Sequence, residues 1–290
     1  MDTAELLKKV RKIEIKTRGL SKHLFSGEYH SAFKGRGMSF SEVREYTYGD
    51  EVRSIDWNVT ARTGIPQINV FEEERELTVM LMADISGSQY FGSEETDKRL
   101  FLTEIAAVLA FSANQNNDKV GLHLFTDRTE LYIPPQKGRK HILRIIRELL
   151  HFEPGSKGTN IGSALEHINR ILKKRSICFL LSDFISPDFS TPLRIMARRH
   201  DLVGLRLYDS FEEDIPEIGV IPVRDMETGE RRWLDTNDKK SREMYVRNFD
   251  TYKQQMTNSF RLAGCDLLSI SVNESYIKKL MQFFKKRMHR

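Results

Sequence analysis

Five residues on three stretches of this chain carry oxygen side chains where they could share one cation. Asp84-Ile85-Ser86-Gly87-Ser88 directly follows an apolar run and puts one carboxylate and two hydroxyls on alternate residues. Gly158-Thr159 stands just ahead of a helical pattern, and Asp183 closes the apolar run at 176–182. Two carboxylates and three hydroxyls are hard ligands. They suit Mg2+, which takes octahedral oxygen coordination and keeps waters, with Mn2+ or Ca2+ as tolerable substitutes. So many neutral ligands leave the ion with a demand for one more anionic oxygen. An Asp or Glu of another protein could supply it. The plainer alternative is that Asp84 and the serines only cap a helix and shape a turn. Matching groups on three separate stretches favour the metal.

The elements that must position these residues follow from hydrophobic period and turn residues. Residues 3–17 read as a short helix, with Leu6, Leu7, Val10 and Ile13 at helical spacing. The stretch after Gly19 is glycine-punctuated and aromatic, which suits loops and short strands, with an edge strand at 68–71. Residues 77–83 are an apolar strand ending at Asp84. Residues 97–114 form a helix that is apolar nearly all round and therefore buried. A hairpin follows, with strands 120–125 and 130–133, the second stopped by Pro134-Pro135. Helices are expected at 139–150, 161–172, 191–199, 239–263 and 276–288. Strands are expected at 176–182, 202–208 and 267–272, and a hairpin over 220–223 and 232–234 around Thr228-Gly229. Strands alternating with helices imply an α/β fold with a mostly parallel sheet, helices on both faces, and one antiparallel edge strand. Asp84 and Asp183 then emerge at the carboxyl rim, where such folds bind ligands. Thr159 reaches that rim if the helix before it returns the chain there.

This set resembles the metal-ion-dependent adhesion site of von Willebrand factor A domains. Asp84, Ser86, Ser88, Thr159 and Asp183 match its five positions in order, and the resemblance covers residues 75–290. Gln89 stands where a Met often follows the second Ser, outside the ligand set. The N-terminal part sharpens the match. Tyr48-Gly49-Asp50-Glu51-Val52-Arg53-Ser54-Ile55-Asp56-Trp57-Asn58, Ala61-Arg62 and Glu72-Glu73-Glu74-Arg75 resemble the signature of the bacterial "domain of unknown function 58" family. That resemblance implies an N-terminal family-specific region at 1–74 joined to a von Willebrand A-like domain at 75–290. It also implies association with a MoxR-type AAA+ ATPase that remodels or activates protein complexes. Within the N-terminal motif, the expected arrangement is structural: a buried Trp57, with Arg–Asp pairs pinning the region onto the sheet domain.

Composition bounds the remaining functions. The 290 residues are 39% hydrophobic and 30% charged, which argues against disorder and membrane bundles. With 46 Lys and Arg against 41 Asp and Glu, the net charge of +5 does not require nucleic acid. The basic end, six Lys or Arg with no acid over 278–290, reads as a solvated helix end rather than a membrane anchor or a nucleic-acid site. Two cysteines, Cys178 and Cys265, and scattered histidines give no disulfide framework and no zinc spacing. No apolar run reaches transmembrane length and no secretory core precedes the first helix, so cytoplasmic residence is the expectation. No phosphate loop, dinucleotide fingerprint, nucleophile elbow or zinc-protease motif is present. Gly155-Ser156-Lys157-Gly158-Thr159 has the wrong order for a nucleotide loop. The expectation is therefore a non-enzymatic binding or scaffold protein. The alternative is a Mg2+-dependent phosphoryl-transfer hydrolase with Asp84 as nucleophile. A haloacid-dehalogenase-like phosphatase would place a second acid where Ser86 stands.

Overall fold

The computed structural model describes residues 3–20, 38–73, 76–87, 98–209, 217–224 and 231–288. The expected glycine-rich aromatic stretch over 21–37, Ser88 and Asp97, and the Thr228-Gly229 turn lie outside those residues.

A six-stranded sheet is built from β3 (Thr78–Asp84), β4 (Lys119–Phe125), β5 (Thr129–Gln136), β6 (Ile177–Ser182), β7 (Asp201–Tyr208) and β10 (Asp266–Ser271). Its spatial order is β10-β7-β6-β3-β4-β5. Every neighbouring pair is parallel except β4 with β5, so one edge strand is antiparallel, as the sequence implies. The prolines do not stop β5. They lie on an edge strand at a register shift, where a missing N–H breaks no central ladder.

Side-chain alternation along the central strands makes two cores. Val79, Leu81 and Ala83, with Phe179 and Leu181, face a cluster that includes α3 (Lys98–Gln115), α4 (Arg139–His151) and α8 (Tyr276–Met288). Met80 and Met82, with Cys178 and Leu180, face α5 (Ile161–Ile171), α6 (Ser190–Arg199) and α7 (Lys239–Ala263). The α3 helix is buried on nearly all sides, which is why its pattern lacks a polar face. Gly204 lies on β7 because α7 approaches closely there. A Cβ at that position would sit 2.5 Å from the Phe260 ring.

The first 74 residues contribute two separate pieces. Helix α1 (Thr3–Leu20) packs on α3 and α4, and buries Val10 and Ile13 in the first core. Strands β1 (Met38–Glu45) and β2 (Gln67–Glu73) form their own antiparallel pair, with α2 (Trp57–Thr63) between them in sequence. Trp57 is not buried as expected. It is 67% exposed, because a two-stranded sheet beside a two-turn helix offers no second layer to cover it. Two carboxylates of the motif, Asp50 and Asp56, act inside this piece. Arg44 holds Asp50 in a two-pronged pair at 2.7 and 2.8 Å. Asp56 caps α2, accepting from the Asn58 and Val59 amides and from Asn69 Nδ2. The hairpin of β8 (Val220–Arg224) and β9 (Arg231–Asp235) precedes α7. Among the described residues no helix is long and apolar enough to cross a membrane. Both cysteines are free.

The basic C-terminal helix is not wholly solvated. Arg287 of α8 is buried and pairs with Asp201 and, at 3.1 Å, with Asp266. These carboxylates start β7 and β10, at the rim opposite Asp84.

A buried histidine gives the fold a predictable acid sensitivity. His123 of β4 stacks on His167, its ring nitrogen Nε2 3.1 Å from Thr129 Oγ1. Burial, helped by His167, lowers its pKa from 6.5 to about 3. The folded state therefore keeps His123 neutral while the unfolded chain takes up a proton below 6.5. Its contribution is complete above pH 6.5 and is lost as pH falls, amounting to roughly 2 kcal/mol by pH 5. Asp118, raised to about 6 mainly by burial, works in the opposite direction. Denaturation of wild type and His123→Leu at pH 7 and pH 5 separates the two. The variant is expected to lose roughly 2 kcal/mol less than wild type between those pH values, and equal losses would contradict this reading.

Candidate metal centre

The sheet brings Asp84 and Asp183 to adjacent strand ends. Strands β3 and β6 pair in parallel through Ala83 and Leu181, so Asp84 and Ser182 emerge side by side. Ser182 Oγ donates to Asp84 Oδ2 at 2.6 Å, and the Ser86 amide donates to Asp84 Oδ1 at 2.9 Å. Asp183 follows at once, its Oδ1 accepting from the Ile185 amide at 3.1 Å. The intervening Phe184 is forced to φ +68°, a left-handed conformation that costs a bulky residue energy. Its ring is fully buried beside Phe189 and Phe260, which holds the turn in place.

Hydrogen bonds tie the Thr159 stretch to both aspartate loops. The Gly87 amide donates to the Lys157 carbonyl at 2.8 Å. The Ile161 amide donates to Ser186 Oγ at 3.1 Å, and the Ser186 amide to Tyr252 Oη at 2.9 Å. The Asn160 amide reaches the Thr126 carbonyl, and Glu130 accepts from the Gly155 and Ser156 amides. Asn160 also caps α5. Three stretches distant in sequence thus meet on one rim. Asp84, Ser86, Thr159 and Asp183 are all buried there, while Ser88 lies outside the described residues.

The electrostatics suit a cation. Burial pushes the Asp84 pKa up, and the Asp183 charge pushes it further, against the hydrogen bonds from Ser182 and Ser86. Asp183 Oδ2 is buried, and among the described residues no donor lies within hydrogen-bond distance of it. An orphaned carboxylate oxygen beside a second carboxylate, with hydroxyls close by, fits a hard divalent ion. Asp84, whose two oxygens already accept hydrogen bonds, is placed to hold such an ion through water. Among the described residues no group of three or more His, Cys, Asp or Glu that could hold a metal ion occurs.

Sequence reasoning missed one member of this neighbourhood. Lys98, in the first turn of α3, is fully buried, and its Nζ lies 3.7 Å from Asp183 Oδ2. A cation in the first turn opposes the helix dipole, and α3 has no acid there. Burial adds a desolvation cost. At this separation, and at an effective dielectric of about 20, attraction to Asp183 is roughly 4 kcal/mol. The available signal was a lysine at the first position of a helix whose following turns are mostly apolar.

A family model described as "Protein of unknown function DUF58" matches residues 42–255. Uncharacterized protein Rv1480 of Mycobacterium tuberculosis is 26% identical over 291 residues, which cover 99% of this chain and 91% of that protein. An aerotolerance-related membrane protein from Bacteroides fragilis is similar in structure. It covers 73% of this chain and 98% of its own, with a TM-score of 0.49 and 15% identity. Proximal thread matrix protein 1 from the mussel byssus, solved with a zinc-occupied MIDAS motif, covers 46% of this chain and 38% of its own, with a TM-score of 0.38 and 16% identity.

Proposed function

The chain belongs to the family described as Protein of unknown function DUF58, and we propose that it is a non-enzymatic, metal-dependent protein-binding scaffold. Asp84, Ser86, Ser88, Thr159 and Asp183 would hold Mg2+, with Mn2+ or Ca2+ able to replace it. The ion would accept a carboxylate from an acidic residue of a partner protein. The observation that carries this reading is the convergence of Asp84 and Asp183 on neighbouring strand ends, with Asp183 Oδ2 buried and without a hydrogen-bond donor among the described residues. The family resemblance supplies the partner class, a MoxR-type AAA+ ATPase, for which this protein would be an adaptor in the assembly or activation of protein complexes.

The phosphoryl-transfer alternative is less well supported. A nucleophilic carboxylate must reach phosphorus with a free lone pair in line. Asp84 is fully buried, and both of its oxygens already accept hydrogen bonds.

The test is capture of partners by the tagged protein with Mg2+ or with a chelator. Wild type is expected to retain a defined partner only with Mg2+. Folded Asp84→Ala is expected to bind it at least about 100-fold more weakly, a loss of about 2.7 kcal/mol. Mg2+-dependent capture by folded Asp84→Ala at wild-type strength would defeat the proposal.

A further inference from the structure

We propose that Lys98 is a tethered counter-cation for Asp183, one that holds the metal-free site together and competes with a divalent ion for that carboxylate. The inference rests on the metal-binding reading above and adds to it the means by which occupancy is set. Its basis is geometric. The Lys98 side chain is fully buried, its Nζ is 3.7 Å from Asp183 Oδ2, and that oxygen has no hydrogen-bond donor among the described residues. The distance is that of an ion pair rather than of a hydrogen bond. The ammonium therefore neutralises charge without using up the oxygen's lone pairs.

The consequence follows from like charge. A divalent ion bound to Asp183 would set two cations side by side in a buried place. Binding of the ion then requires Lys98 to draw back from Asp183, or requires a further anion to enter. A partner's carboxylate is such an anion. Lys98 would thereby keep metal affinity low in the protein alone and make uptake of the ion and of the partner mutually reinforcing.

The experiment is calorimetric titration of Mn2+ into wild type, Lys98→Met, Lys98→Arg and Asp84→Ala, with far-UV circular dichroism to confirm folding. Lys98→Met is expected to bind Mn2+ at least about tenfold more tightly than wild type, while Lys98→Arg stays near wild type. Uptake by wild type that is lost in Asp84→Ala, together with unchanged affinity in Lys98→Met, would overturn the role of Lys98 and leave the metal reading standing. Equal uptake by wild type and Asp84→Ala, or none by wild type and Lys98→Met alike, would overturn both. If Lys98→Met is unfolded in chelator, its recovery of the folded spectrum on adding Mn2+ supports the competition, and failure to recover overturns it.

Discussion

Asp183→Asn is expected to destabilise the metal-free protein by about 3–5 kcal/mol. The substitution keeps the shape of the side chain and an oxygen for the Ile185 amide, so it removes little beyond the charge. What remains is a fully buried Lys98 that has lost its ion pair with Asp183. Breaking a buried pair from one side is far more harmful than replacing both members, because the surviving charge keeps its desolvation cost. The double variant Asp183→Asn/Lys98→Met should therefore recover most of the loss. Urea denaturation of the four proteins in chelator gives the coupling energy directly. A cost for Asp183→Asn near 1 kcal/mol, with no recovery in the double variant, would contradict a stabilising Lys98–Asp183 pair.

The second large effect is expected at the far rim. Arg287→Met should cost about 3–5 kcal/mol, because it removes the buried cation that pairs with both Asp201 and Asp266. Both carboxylates begin strands that pair in parallel, so the loss would act on the β7–β10 edge and on the docking of α8. The same variant should bind Mn2+ as wild type does, since Asp84 and Asp183 lie at the opposite ends of the strands. Urea denaturation and Mn2+ titration of Arg287→Met together check both halves. A loss below about 1 kcal/mol would contradict the first, and altered metal affinity would contradict the second. Ligands of open α/β folds bind outside the carboxyl ends of the strands, whereas the Arg287 pairs lie at the amino ends of β7 and β10.

Much of this architecture was legible in the residues, for identifiable reasons. Strand β6 is a continuous apolar run bounded by serines, and α7 opens at an Asp238 cap and closes at Gly264 in the left-handed conformation. Local signals of that kind survive whatever the tertiary context. The edge strand β5 was read short because proline was taken as a stop, although an edge position with a register shift tolerates it. Trp57 was read as buried from its type alone. Its exposure follows from how little of the described structure packs on the two-stranded sheet, which no local pattern records. In the site, Asp84 and Asp183 could be picked out because each marks a strand end, Ser86 because it alternates with Asp84 in one loop, and Thr159 because it stands just ahead of a helix. Lys98 and Arg287 could not be picked out in that way. Lysine and arginine are read as surface residues by default. Their burial shows only once β6, β7 and β10 bring carboxylates to meet them.

The most direct test of the proposed metal centre is an anomalous difference map from crystals of the wild-type protein grown with Mn2+ and an acidic partner peptide. The account predicts one peak at the carboxyl rim, bonded directly or through water to Asp84, Ser86, Ser88, Thr159 and Asp183, with a peptide carboxylate completing the shell and Lys98 withdrawn from Asp183. A map with no manganese at that rim, and Lys98 still against Asp183, would contradict it.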